Sequence, residues 1–260
     1  MVVKVLVLTG FGINCDLETQ HAFRAVGADA ERIHLNDIIL GEKRLGDYEI
    51  LAFPGGFSFG DDIASGKVLA NKFKHHLKKE LEEFVHSGKL VIGICNGFQA
   101  LVKMGLLPAL DGNYFSQQAT LTFNDSGRFE DRWVWLKVNP ASKCVFTKGI
   151  EKLYLPVRHG EGKFVADQRV LERLKKQGQV VAQYTDPEGK LAGYPWNPNG
   201  SLENIAGVCD ETGRVYGMMP HPEAFNHFTN HPRWTRGEFS GEGMGIPVFR
   251  NAVEYAEKSL

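Results

Sequence analysis

Leu90-Val91-Ile92-Gly93-Ile94-Cys95-Asn96-Gly97-Phe98-Gln99-Ala100-Leu101 carries an apolar run straight into a glycine-flanked cysteine and then into a helical pattern. Such a stretch predicts a buried strand, Leu90 to Ile94, turning sharply into a helix. A nucleophile held on a strained strand-to-helix turn needs near-absent side chains two residues away on each side, which Gly93 and Gly97 provide. The following helix presents free backbone N–H groups and the positive end of its dipole to the sulfur. Both stabilise negative charge there and prepare a donor for a developing oxyanion. Taken alone, Gly-x-Cys-x-Gly also describes a buried cysteine in a glycine-rich turn, since free cysteines are common small core residues.

Outward from this turn, short apolar runs alternate with helical patterns. That alternation predicts the α/β class, a doubly wound and mostly parallel sheet with helices on both faces. Strands are expected at Val2 to Leu8, Arg32 to Leu35, Glu49 to Phe53 and Leu90 to Ile94, followed by a smaller β-rich part. Helices are expected at Leu17 to Val26, Lys67 to Ser87, Phe98 to Met104, Gln168 to Gln177 and Pro247 to Lys258. Thr185 to Ser201, with its Pro, Gly and Asn, reads as a long loop, because an apolar strand resumes at Ile205. At 260 residues the chain fits a single domain, residues 1–260.

A partner for Cys95 stands far downstream. Val215 to Met219 reads as a buried strand that runs into Pro220-His221-Pro222-Glu223. The prolines on both sides of His221 disfavour helix and hold the segment extended, so that His221 and Glu223, two apart, face the same way. An imidazole can take the thiol proton, and a carboxylate can fix its tautomer. His-Pro-Glu is otherwise an ordinary polar turn at a strand end; the elbow is what favours the catalytic reading. The strand Glu49 to Phe53 ends in Pro54-Gly55-Gly56-Phe57-Ser58-Phe59-Gly60-Asp61-Asp62, whose backbone N–H groups, with that of Asn96, would make a two-donor oxyanion hole. These parts describe acyl transfer through a thioester. Phosphate binding by the same glycines is weakly supported, since no Gly-Lys-Ser/Thr follows them.

At this point the sequence resembles the triad class of glutamine amidotransferases, and within it the family of glutaminase subunits of phosphoribosylformylglycinamidine synthase. The resemblance runs along nearly the whole chain. It is carried by Gly12-Ile13-Asn14-Cys15-Asp16, Pro54 to Asp62, Gly93 to Leu101, Gly105-Leu106-Leu107-Pro108, His159-Gly160-Glu161-Gly162, Asn197-Pro198-Asn199-Gly200-Ser201 and Met219 to Glu223. It implies a flavodoxin-like fold, Cys95 as nucleophile with His221 and Glu223 completing the triad, and oxyanion donors at Gly56 and Asn96. It further implies that Gly55, Phe57, Gln99, His159 and Gly160 belong to elements that hold L-glutamine. No cofactor is implied in this chain; ATP and magnesium would be used by a partner synthetase subunit, with a small accessory subunit as a further partner. Two stretches depart from the shorter members of the family. Thr120 to Val138 looks like the amidotransferase portion of the large fused synthase, and Phe225 to Pro247 is longer than a short subunit needs. Alternatives are a stand-alone thiol hydrolase or peptidase on the same scaffold, and a non-catalytic docking subunit, against which the intact Cys95, His221 and Glu223 speak.

Composition narrows the classes further. The formal net charge of −1 gives no basic stripe for nucleic acid or an anionic membrane. Cys15, Cys95, Cys144 and Cys209 are scattered, with no Cys-x-x-Cys pair, so neither a disulfide framework nor a zinc site is expected and a reducing cytoplasm fits. The first strand follows at once on the start and carries Lys4, so neither a signal peptide nor a membrane span is expected there. Gly10-Phe11-Gly12 lacks the third glycine of a dinucleotide fingerprint, Cys15 standing in its place. His75 and His76 read as a solvated helix face. His221, Glu223, His227 and His231 are interrupted by Pro222 and Pro232, which argues against a helical metal-ligand set, and no metal site is expected. Cys15 reads as structural, with Asn14 and Asp16 capping the following helix. Phe225 to Pro247 mixes Phe225, Phe228, Trp234 and Phe239 with Arg233, Arg236, Glu238, Glu242 and several glycines. It reads either as a lid or docking loop, or as a surface excursion that packs its aromatics locally.

Overall fold

A computed structural model describes residues 2–237 and 240–260. In chain order the elements are β1 (Lys4–Thr9), α1 (Asp16–Ala25), β2 (Asp29–His34), α2 (Leu35–Ile39), β3 (Ile50–Phe53), α3 (Lys67–Lys72), α4 (Lys78–His86), β4 (Leu90–Ile94), α5 (Asn96–Met104), β5 (Ala119–Phe123), β6 (Glu130–Val138) and β7 (Lys152–His159). They continue with β8 (Glu161–Ala166), α6 (Gln168–Lys176), β9 (Val180–Thr185), β10 (Ile205–Cys209), β11 (Val215–Met218) and α7 (Ile246–Ser259).

Among the described residues one nine-stranded sheet runs in the order β2-β1-β3-β4-β11-β10-β9-β6-β7, with β5 and β8 as a separate antiparallel pair. Pairing is parallel from β2 across to β11. It is antiparallel from β11 out to β7. The fold is therefore α/β, as expected, and the β-rich part mostly continues the same sheet. Strands β3, β4 and β11 are buried along their whole length, which is why they read as unbroken apolar runs without alternation. Helices α1 and α7 pack together through Phe23 and Phe249, their rings edge to face at 4.9 Å. Phe53 of β3 meets Phe73 after α3 at 4.9 Å. No helix of the described residues is long and apolar enough to cross a membrane.

Two expectations change, and a third segment shows its local packing. The helix foreseen over Lys67 to Ser87 is divided by a wide π-type turn, Phe73–Leu77, between α3 and α4. The wider turn lets Leu69, Phe73, Leu77, Leu81 and Phe84 all reach the core, which an unbroken α-helical period would not keep aligned. The strand expected at Arg32 to Leu35 starts earlier and stops at His34, because the His34 ring accepts the Asn36 N–H at 3.2 Å and opens the short helix α2. The segment after Glu223 packs locally in its described part. Phe225 is buried edge-on against Trp133 at 5.1 Å, His227 bridges to Glu242, and Arg250 of α7 pairs with Glu242. Glu238 and Phe239 lie outside the described residues.

Candidate active site

Four neighbouring parallel strands end at one edge of the sheet, and each hands a loop to the same place. β1 leads to Gly10–Cys15, β3 to Pro54–Asp62, β4 to Cys95 and β11 to His221. This is the crevice beyond the carboxyl ends of the strands where open α/β sheets collect their ligand groups. Residues remote in sequence meet here because strand order, not chain order, sets who is adjacent.

Cys95 holds φ 51° and ψ −106°, a conformation that L-residues rarely adopt, at the N-terminus of α5. The turn is made possible by Gly97, where a side chain would collide with the Phe53 carbonyl. The Cys95 N–H donates to Met218 O at 2.8 Å, tying the elbow to the end of β11, and the thiol lies 3.7 Å from Arg158 O. His221 donates its N–H to Pro156 O at 2.9 Å, and its Nδ1 sits 2.5 Å from Glu223 Oε1. Here the structure corrects the simple extended picture: His221 is extended, but Pro222–Ala224 form a 3₁₀ turn that brings the Glu223 carboxylate back under the ring. Proline tolerates the first position of such a turn. Cys95, His221 and Glu223 are 4%, 2% and 1% exposed, so water is largely kept away. Burial alone would discharge the His221 ring, yet the Glu223 carboxylate and the Cys95 sulfur beside it hold its pKa well above the usual histidine range. The ring also interacts with the Cys15 and Cys95 thiols, and among the described residues Glu223 Oε2 is buried without a hydrogen-bond partner.

Gly56 and Asn96 lie on two segments that touch. The Pro54–Asp62 loop folds over the start of α5, with Ser58 N–H donating to Asn96 Oδ1 at 3.1 Å. It is held from the other side by Asn14 and Cys15 N–H to Gly55 O, both 3.1 Å, and by Phe57 N–H to Gly12 O at 2.8 Å. These bonds leave the Gly56 N–H out of the loop's own pairing, and the Asn96 N–H stands in the unpaired first turn of α5. Phe57 is exposed on the rim, 6.2 Å from Phe129. Gly55 lies directly against His221, so the requirement there is space for the ring.

Gln99 and His159, expected among the substrate-holding elements, are both buried and occupied with protein. Gln99 Nε2 donates to Glu161 O, and its Oε1 accepts from Asn96 Nδ2 at 3.1 Å. His159 Nδ1 meets Asn124 Oδ1 at 3.1 Å and its Nε2 lies 3.5 Å from Asn199 Nδ2. Burial, followed by the charge of His221, lowers the His159 pKa to about 3, so the ring is neutral. Gly160 accepts Asn124 N–H at 3.0 Å.

Several site residues escaped the sequence reading. Lys103, one helical turn beyond Gln99, is buried and pairs with Glu161 at 3.6 Å while donating to Ser65 O at 2.5 Å. Asp61 accepts from Asn96 Nδ2 at 2.9 Å. This connected set joins the Gly56 loop, the nucleophile helix and the β7–β8 turn into one unit. Polar Asn96, Gln99 and Lys103 on an entirely buried helix were the available signal. Cys15 corrects a second expectation. It occupies the N-cap of α1 without a side-chain cap bond, while Asp16 accepts from Thr9 Oγ1 at 2.7 Å and from Arg32 at 3.1 Å. The Cys15 sulfur instead lies beside His221 and Glu223. The four-residue metal set weighed around His221 does not assemble among the described residues; Cys15, His221 and Glu223 do.

The family model of the CobB/CobQ-like glutamine amidotransferase domain matches residues 2–256. The chain is 49% identical over 259 residues to phosphoribosylformylglycinamidine synthase subunit PurQ of Dehalococcoides mccartyi, covering 98% of each. It is 46% identical over 270 residues to the protein of the same name from Methanococcus maripaludis, covering 99% of each. Among solved structures it is similar to a chain of PurLQS from Thermotoga maritima, at 32% identity and a TM-score of 0.75, covering 98% of this chain and 99% of that one.

Proposed function

This chain belongs to the glutamine amidotransferases, in the PurQ family, and we propose that it is the glutaminase subunit of phosphoribosylformylglycinamidine synthase, working through Cys95, His221 and Glu223. The carrying observation is the strained elbow of Cys95 set against a buried His221–Glu223 pair on the adjacent strand end.

His221 takes the Cys95 proton, and the sulfur attacks the γ-carboxamide carbon of L-glutamine. The Gly56 and Asn96 N–H groups receive the oxyanion. The C–N bond then breaks, with His221 returning the proton to the leaving nitrogen, so ammonia departs and a γ-glutamyl thioester remains on Cys95. Water, deprotonated by His221, cleaves the thioester to glutamate and regenerates the thiol. Glu223 keeps Nδ1 protonated and Nε2 directed at the chemistry throughout. Gln99, through Glu161 and Asn96, positions the oxyanion loop, and His159 and Gly160 set the wall of the glutamine pocket.

Ammonia passes to an ATP- and magnesium-dependent synthetase subunit in the cytoplasm, with a small accessory subunit completing the complex. The near-complete burial of the triad supports a site that opens only with the partner bound. The chain alone is then a poor glutaminase, and equal rates with and without the synthetase subunit favour a stand-alone hydrolase instead. The decisive experiment is Cys95→Ala in the reconstituted complex. Glutamine-dependent synthesis is lost while synthesis from added ammonium continues; retention of glutamine turnover eliminates the mechanism.

A further inference from the structure

We propose that Cys15, His221 and Glu223 form a binding site for a thiophilic divalent cation, Zn²⁺ by its ligand chemistry, whose occupation switches the glutaminase off.

The Cys15 Sγ, a ring nitrogen of His221 and a carboxylate oxygen of Glu223 all lie within 4.8 Å of one another. A thiolate, an imidazole and a carboxylate are the three donor types zinc prefers, at about 2.0–2.3 Å from the metal. Donors around one such ion stand about 3.3–3.8 Å apart, so the group needs only side-chain adjustment of about 1 Å to close on it. A further observation points to a ligand. Among the described residues Glu223 Oε2 is buried with no hydrogen-bond partner, leaving an acceptor oxygen unused in a site that excludes water. Residue 55 is glycine, and a Cβ there would stand 2.7 Å from His221 Cε1 and 3.3 Å from Cys15 Sγ, so the missing side chain is what lets ring and thiol lie side by side. The sequence shows no zinc spacing because the donors come from opposite ends of the chain, brought together by the loops after β1 and β11.

A cation here replaces the proton shared by His221 and Glu223. Cys95 loses its base and the base loses its orienting carboxylate, while the nucleophile itself stays uncoordinated. Binding stands independently of the amidotransferase mechanism; the inhibition rests on it.

The test uses the full chain freed of metal by a chelator. Zn²⁺ is titrated by calorimetry, and Co²⁺ is added as a spectroscopic substitute whose thiolate-to-metal charge-transfer absorption reports sulfur ligation. Wild type and Cys95→Ala each bind one Zn²⁺ and show the absorption with Co²⁺. Cys15→Ser loses the absorption and binds Zn²⁺ at least about 100-fold more weakly, since even outer partners of a metal site commonly cost 10–100-fold. A Cys95→Ala/His221→Gln double variant also loses the absorption, which separates this site from the buried Cys144 and Cys209. In the reconstituted complex Zn²⁺ stops glutamine-dependent synthesis, spares ammonium-dependent synthesis and is reversed by chelator. Unchanged Zn²⁺ affinity in Cys15→Ser, or absorption that vanishes in Cys95→Ala, overturns the assignment. Should Cys15→Ser fail to fold, absorption present in Cys95→Ala and absent from Cys95→Ala/His221→Gln upholds the assignment, and any other pattern overturns it.

Discussion

Replacing Gly55 with alanine puts a methyl group 2.7 Å from Cε1 of His221 and 3.3 Å from the Cys15 sulfur, where ordinary contact begins at 3.4 Å. The φ of Gly55 lies outside the left-handed region, so the effect is one of space and not of backbone strain. The ring must retreat by about 0.7 Å, and it cannot retreat freely, because Nδ1 is held 2.5 Å from Glu223 and the backbone N–H is bonded to Pro156. Misplacing a reacting group by 1 Å costs about 100-fold in rate. A shift of about 0.7 Å therefore predicts a 10- to 100-fold fall in glutamine turnover, about 1.4–2.7 kcal/mol in the barrier. The accompanying loss of stability is about 1–3 kcal/mol, the usual range for overpacking a buried site. Glutamine- and ammonium-dependent synthesis are measured side by side in the complex, together with thermal unfolding of the chain. The expected pattern is a selective loss with glutamine. Turnover within three-fold of wild type, in a folded variant, refutes the idea that the missing Cβ sets the position of the base; three-fold is about 0.65 kcal/mol.

Lys103→Met leaves the half-buried Glu161 without its cation and costs about 3 kcal/mol by chemical unfolding, the low end for a buried pair, whereas Lys103→Met/Glu161→Gln recovers much of it; equal losses in both variants remove the ion pair as the cause. His159, lowered to about 3 in the fold, makes the unfolded chain the better proton acceptor between about pH 6.5 and that value. Stability therefore falls on acidification by up to about 1.4 kcal/mol per pH unit on this account, and denaturation curves of His159→Gln show a shallower acid limb. His221 has the opposite sign: its raised pKa stabilises the fold fully below the unfolded value and is lost as pH climbs through the folded one, so it adds nothing to the acid limb. Glu223→Ala lowers kcat at saturating glutamine less than His221→Ala does, because the orienting member acts only through the base; the reverse ranking takes the orienting role away from Glu223.

The strand, elbow and helix around Cys95 were legible in the sequence because each depends on neighbours in the chain. An apolar run buries itself, glycines permit the close turn, and the cysteine between them inherits the conformation. His221 and Glu223 were legible for the same reason, two residues apart beside fixed prolines, even though the turn that joins them is 3₁₀ and not extended. The α/β class followed from alternating periodicities. What periodicity misjudged was local geometry under tertiary demand, as at Phe73–Leu77, where a wide turn keeps five side chains in the core.

Only the tertiary structure decided who surrounds the triad. Cys15 beside His221, Arg158 O beside the Cys95 thiol, Lys103 on Glu161 and Asn124 on His159 are each meetings of segments that carry no mark of one another. They arise from strand order, which places β1, β3, β4 and β11 side by side whatever their distance along the chain. A local pattern can fix what a residue is and how its own backbone turns. The neighbour across a sheet edge is set by the packing of the whole core, and that is where the second thiol of the site came from.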